Sequence, residues 1–499
     1  MTAIAIDAGT TTIKVVGYAD DGEELAVSRR PTQVTRPRPR WAEQDMSEVW
    51  AAVADAVREV VAALPDAPDM VAVTAQGDGA WLVDDRGRPT GPAVLWNDGR
   101  ATDQVAAWER DGVAQEAFRI SGSRLSAGMP NAVLAWLRAN DPDRVDRSAH
   151  LLTCGGWLHL KLTGEAAVDE SDASAPFMDI RQRDWSDRLF ELYDLRETRR
   201  LLPELRDDDN RVTALGDSAA AETGLPAGIP VVMAPYDICA TAIGAGAVTA
   251  GQACCILGTT LATEVITDTV VTDEPVGITV TLGVPGRYLR AFPTMSGGDV
   301  LEWGAGMLGL TSVTDLMDLA ARGAPDAAGV RFVPYLSPAG ERAPFFDPTA
   351  RGSLSGLSLE ADREDVARAL LEGVTMTIRD CLAAAPGSPD GLALCGGGTR
   401  SDFWMRLIAD VTGLPVTIPA TAEVGARGAW LTGLVATGRE PDFPTAAARH
   451  VRVAATYRPD RKAFDDFSGR YADFLRLREL ARPLWTHGRG TRSTGGADA

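Results

Sequence analysis

The chain has 499 residues, 45% hydrophobic and 24% charged, a soluble globular composition that is too long for one ordinary core. Its formal net charge of −20 repels polyanions and removes the electrostatic attraction on which nucleic-acid binding depends. DNA and RNA are thereby excluded as expected partners, and any anionic ligand must be held by backbone N–H groups, a metal ion and a few side chains.

Residues 3–7 predict a buried strand and residues 13–18 a second, joined by the polar turn Gly9-Thr10-Thr11-Thr12. No basic and apolar leader precedes the first strand, so the expected compartment is the cytoplasm. Apolar residues at helical spacing over 47–64, behind Ser47 as cap, predict a helix, and strand character resumes at 70–74. The loop Thr74-Ala75-Gln76-Gly77-Asp78-Gly79 follows, with an amide and a carboxylate suited either to gripping vicinal hydroxyls or to a plain polar turn. Strands alternating with helices make the first half α/β.

Asp237 is the only charged side chain between Glu222 and Glu264, and it follows the apolar strand 229–234 at the expected start of a helix. Isolating a carboxylate costs several kcal/mol unless it is paired or employed, so a base facing a cleft competes with a simple helix cap. Residues 238–263 carry no charge at all, but four glycines and many threonines suit packed strands and turns, not a membrane helix. Within this stretch the opening pattern returns, with strand-like 254–257, the turn Gly258-Thr259-Thr260 and strand-like 263–267, which suggests a duplicated domain. A third glycine turn, Gly396-Gly397-Gly398, lies between strand 392–394 and a helix expected after Ser401. Residues 488–499 read as a frayed tail. The six cysteines have no C-x-x-C spacing and only four histidines accompany them, so buried reduced thiols are expected and structural zinc is not.

Phosphoryl transfer requires donors around the terminal phosphates, hydrated Mg²⁺, and an acceptor hydroxyl beside a base. Glycine admits a phosphate close to the backbone and threonine adds hydroxyl donors, so Thr10, Thr11 and Thr12 in one turn and Gly258 and Thr259 in the other are candidate phosphate contacts; either could equally be an ordinary hairpin turn. Asp7, at the end of the first strand, is placed to hold Mg²⁺ through its waters, or to start the turn.

Together these residues resemble the FGGY family of carbohydrate kinases over nearly the whole chain, to about Leu475. The resemblance is carried by Asp7-Ala8-Gly9-Thr10-Thr11-Thr12, Trp41-Ala42-Glu43-Gln44-Asp45, Leu95-Trp96-Asn97-Asp98, and Gly352-Ser353-Leu354-Ser355-Gly356-Leu357 leading to Asp365, Ala369 and Glu372. A second family signature near residues 129–136 is less complete, with Val133 where lysine is usual.

The resemblance implies a pair of actin-like (ribonuclease H-like) domains with ATP and sugar in the cleft between them. Residues 1–246 would bind sugar, 247–478 nucleotide, and 479–499 would form a partly disordered tail. It places Asp7 at magnesium, Thr10, Thr11, Thr12, Lys14, Gly258 and Thr259 at phosphates, Gly298 and Glu302 beside the nucleotide, Gly397 and Ser401 in the adenosine loop, and Asp237 as base. Gln76, Gly77 and Asp78 would contact substrate. That loop matches neither the Gln-Arg-Glu of glycerol kinases nor the Gln-Met-His of D-xylulose kinases and is similar to erythritol and L-xylulose-type kinases, which implies a tetritol or pentulose. The expected reaction has domain closure exclude water while Asp237 accepts the proton of a terminal hydroxyl. A homodimer is compatible with this reading. A sugar-binding sensor without turnover and an actin-like ATPase are the alternatives from other classes, and glycerol or gluconate kinase the alternatives within the family.

Overall fold

The computed structural model describes residues 2–485, so the segment 488–499 expected to fray lies outside the described residues. The chain divides into two compact units. One combines the residues up to Cys254 with Glu264–Ala291 and Pro419–Ala454. The other comprises Cys255–Thr263, Phe292–Ile418 and the chain from Ala455 onward.

The first unit is built on a six-stranded sheet in the order Val212–Ala214, Pro230–Met233, Val71–Ala75, Thr2–Ala8, Thr12–Ala19, Glu24–Pro31. Thr2–Ala8 is buried along its whole length, as expected of a strand covered on both faces. Ile4, Ile6 and Ala8 join a core with Val49, Val53 and Val57 of the Met46–Ala63 helix. The alternate residues face the Val424–Ala436 helix, whose Gly425 approaches Asp7 and whose Gly433 approaches Ala72. The Met46–Ala63 helix is capped by Asp45, not Ser47: its Oδ1 accepts the N–H groups of Ser47 and Glu48 at 2.8 and 3.0 Å. The helix therefore starts two residues earlier than a serine cap would place it.

The uncharged stretch resolves into the Asp237–Gly244 helix, the Gln252–Leu257 strand and the start of Leu261–Thr267. Among the described residues no helix is long and apolar enough to cross a membrane. The Asp237–Gly244 helix lies tightly against Val424–Ala436. A Cβ on Gly428 would stand 1.8 Å from the Ala240 carbonyl oxygen, and one on Gly244 would stand 1.9 Å from that of Val424. These two glycines let the helix backbones touch, which fixes the helix that begins at Asp237.

The second unit takes in the end of the Gln252–Leu257 strand from Cys255, the Gly391–Cys395 strand and the Val416–Pro419 strand up to Ile418, which are successive in the sheet, the last two parallel. Helices Gly298–Met307, Val313–Ala320, Arg363–Ala384, Asp402–Thr412 and Arg461–Trp485 belong with them. The Arg363–Ala384 helix opens with a reciprocal capping box between Asp362 and Asp365. All six cysteines are buried, and none is in a disulfide.

Candidate active site

Asp7 and Lys14 are directly opposed across the hairpin of Thr2–Ala8 and Thr12–Ala19, and Lys14 Nζ donates to Asp7 Oδ2 at 3.1 Å. Glu423, just before the Val424–Ala436 helix, brings its Oε2 to 3.9 Å from the same Nζ. Burial alone would lower the lysine pKa, but the Asp7 carboxylate, helped by Glu423 and Asp237, holds it above its ordinary value. Asp7 is 6% exposed, and Gly425 leaves it room: a Cβ there would lie 2.7 Å from Asp7 Oδ2.

Asp237 is the first residue of its helix, and Tyr236 takes the cap position. The residue as a whole is half-buried. Burial pushes it up to about 8, with the charge of Asp7 and then Asp78 adding to the rise, while the Ile238 N–H and Lys14 oppose it. A carboxylate of that basicity is matched to removing a proton near neutral pH.

The expected substrate loop divides into two roles. Gln76 is buried and bonded at both ends of its amide, with Oε1 accepting from Thr10 Oγ1 at 2.7 Å and Nε2 donating to Gln44 Oε1 at 2.8 Å. Thr10 Oγ1 also accepts from the exposed Trp96 indole at 2.8 Å. Gln76 and Thr10 thus brace the turn. Thr11 at the tip is exposed, and Thr12 opens the second strand. Asp78 is half-buried in a left-handed conformation, φ 54°. Gly77 sits between the Tyr236 ring and the Asp172 carboxyl.

In the second unit the turn after Gln252–Leu257 is also closed by its glycine, but more tightly: Gly258 N–H donates to the carbonyl of Thr260, two residues on, at 3.2 Å, where Gly9 N–H donates to that of Thr12, three residues on, at 3.1 Å. Gly258 and Thr259 are exposed. Their carbonyls accept from Gly298 at 2.9 Å and Asp299 at 3.1 Å, which seats the turn on the start of the Gly298–Met307 helix. Glu302 is exposed one turn further along that helix. Gly396, at φ 95°, passes so close to Leu257 that a Cβ would meet its carbonyl oxygen at 2.6 Å, so the two glycine turns are neighbours. Gly397 is exposed, and Ser401 caps the Asp402–Thr412 helix through the Trp404 N–H at 3.3 Å. Glycine turns running into helix N-termini are ready seats for phosphate oxygens.

Glu423, Tyr236 and Asp172 escape a reading of the sequence. Glu423 arrives from far along the chain, and the other two matter only through contacts with a glycine.

Each unit presents groups suited to phosphoryl chemistry, a basic carboxylate at Asp237 in one and glycine turns at Gly258 and Gly397 in the other. Comparison with known proteins makes the class specific. Residues 2–244 match the N-terminal domain of the FGGY family of carbohydrate kinases, and residues 246–437 match its C-terminal domain. The chain is 32% identical to an erythritol kinase of Brucella abortus over 97% of its own length and 96% of that protein's. It is 31% identical to an Escherichia coli xylulose kinase over 96% and 99%. The structure of a xylulose kinase from Rhodospirillum rubrum superposes with a TM-score of 0.89 at 27% identity, covering 97% of this chain and all of that one. The chain belongs to the FGGY family of carbohydrate kinases, ATP-using phosphotransferases with an alcohol group as acceptor.

Proposed function

We propose that this kinase transfers the γ-phosphoryl group of ATP to a terminal hydroxyl of a tetritol or pentulose, with erythritol, L-xylulose and D-xylulose the first substrates to test. The observation that carries the reading is Asp237, a carboxyl raised to about 8 at the rigid start of a helix. It accepts the proton of the hydroxyl while that oxygen attacks phosphorus in line. The similarity to kinases named for erythritol and xylulose supports the substrate class. Residues 1–246 serve as the sugar-binding domain and 247–478 as the nucleotide-binding one, with Gly258, Thr259, Gly298, Glu302, Gly397 and Ser401 toward ATP.

Magnesium fits the residues present. Asp7 offers a carboxylate beside the turn, and the buried Oε2 of Glu423 has no hydrogen-bond partner, so two acidic oxygens flank Lys14 where a hydrated cation could take their charge. Asp7 would hold it through its waters, and the ion would neutralise charge on the phosphates. Lys14 shares the task as a fixed cation. We place the enzyme in the cytoplasm, and a homodimer is compatible with this reading.

A coupled ADP assay over erythritol, L-xylulose, D-xylulose, pentitols, glycerol and gluconate tests the reading. Sugar-dependent ADP release with a tetritol or pentulose is expected. Release that ignores added polyol, or none at all with any of them, would overturn it.

A further inference from the structure

Gly77 is a glycine for lack of space. Its backbone is in an ordinary conformation, unlike Asp78 at φ 54° and Gly79 at φ 72°, so conformation alone would admit any residue. A Cβ at position 77, however, would stand 2.4 and 2.6 Å from Cε2 and Cδ2 of Tyr236 and 2.6 Å from Asp172 Oδ1. The volume of a side chain at 77 is filled by the Tyr236 ring.

Neither neighbour can back away easily. Asp172 is 7% exposed and its Oδ2 accepts from Thr153 Oγ1 at 2.9 Å. The Tyr236 main chain is held from both sides. Its N–H donates to Ser171 Oγ at 2.9 Å, and the preceding Pro235 carbonyl accepts from Thr74 Oγ1 at 2.6 Å. Pro235 itself is wedged against Gly283, where a Cβ would approach its Cγ to 2.2 Å. The ring therefore projects from a fixed point, one residue before the base, and it is partly exposed. Its hydroxyl lies within the electrostatic reach of Asp78, Asp237 and Asp172.

We infer that Tyr236 and Gly77 form one steric determinant of substrate length: the aromatic ring occupies the room a residue-77 side chain would take and walls the space beside Asp237, limiting acceptors to short carbon chains. The inference rests on the small polyol or ketose reading of the site. Removing the ring opens about the volume of several methylene groups, and each methylene in such a pocket changes discrimination by roughly 10-fold or more.

The test compares kcat/KM for a tetritol, a pentulose and a hexulose among the parent, Tyr236→Phe, Tyr236→Ala, Gly77→Ala and the Gly77→Ala/Tyr236→Ala double variant. The parent and Tyr236→Phe should share one chain-length profile. Tyr236→Ala should shift the hexulose-to-tetritol ratio upward about tenfold or more, with the KM for ATP unchanged. Gly77→Ala should lower kcat/KM for the best parent substrate about tenfold, and the double variant should recover part of that loss, because the clash with the ring is gone while the close approach to Asp172 Oδ1 stays. A Tyr236→Ala profile identical to the parent's overturns the inference, as does additivity in the double variant. Should Gly77→Ala fail to fold, Tyr236→Ala against Tyr236→Phe still decides. A parent with no activity on any polyol or ketose defeats the proposed function instead, and that result is distinct from an unshifted profile.

Discussion

Replacing Asp237 with asparagine separates the cost of the base from its use. The carboxyl keeps its proton in the folded protein until about pH 8, whereas in the unfolded chain it ionises near its ordinary value of ~3.9. Between these limits the folded state binds more protons than the unfolded one, so this group makes stability fall as pH rises, by about 1.4 kcal/mol per pH unit. The loss is absent below both values and complete above pH 8, where its upper bound is on the order of 5 kcal/mol, reduced to a few by solvent and relaxation around a half-buried residue. Asparagine has no proton to release and no such slope. In EDTA, the variant should therefore resist urea better than the parent at pH 8.5, with the difference narrowing toward pH 5. Its sugar-dependent kcat should fall by about 10²- to 10⁴-fold, while the KM for ATP stays near the parent's. Parent kcat/KM should climb with pH as the base loses its proton, and the residual rate of the variant should lack that limb. Near-normal turnover, or a stability difference that is the same at pH 5 and pH 8.5, would refute the reasoning.

Asp7→Asn should raise the Mg²⁺ concentration for half-maximal rate about tenfold or more, measured by titrating the metal at saturating ATP; an unmoved midpoint contradicts the metal role. Gly397→Ala meets no atom within 4 Å and needs no unusual φ, so stability should stay within about 0.5 kcal/mol while the KM for ATP rises several-fold. An unchanged KM would take the nucleotide away from this turn. Gly428→Ala drives a methyl group into the Ala240 backbone and should cost about 1–3 kcal/mol or more in urea unfolding, with lower kcat because the Asp237 helix must shift.

What the sequence disclosed and what it withheld follow from how local each signal is. The opening hairpin was legible because two apolar runs flank a polar turn, and the pairing of Asp7 with Lys14 follows from the hairpin's register. Ser401 as a cap was legible for the same reason, since the donor lies three residues away. The Asp45 cap was missed by two residues because aspartate and serine are both favoured caps and the apolar spacing does not choose between them. Asp237 stood out as a lone charge in a long neutral stretch, a pattern that desolvation makes meaningful at any distance.

Glu423 carried no such mark. Its place beside Lys14 depends on a helix that returns after some four hundred residues to the first sheet, seated by Gly425 against Asp7 and by Gly428 against Ala240. Those glycines have no local signature either, because what they answer to is another backbone. Gln76 shows the reverse case. A residue legible as polar and loop-borne is bonded within the protein at both ends of its amide, to Thr10 and to Gln44, and no local pattern announced those partners. A side chain's type tells what it can bond to, but which partner it takes is set by the fold. Through these two bonds Gln76 positions Thr10 and the turn that bears it.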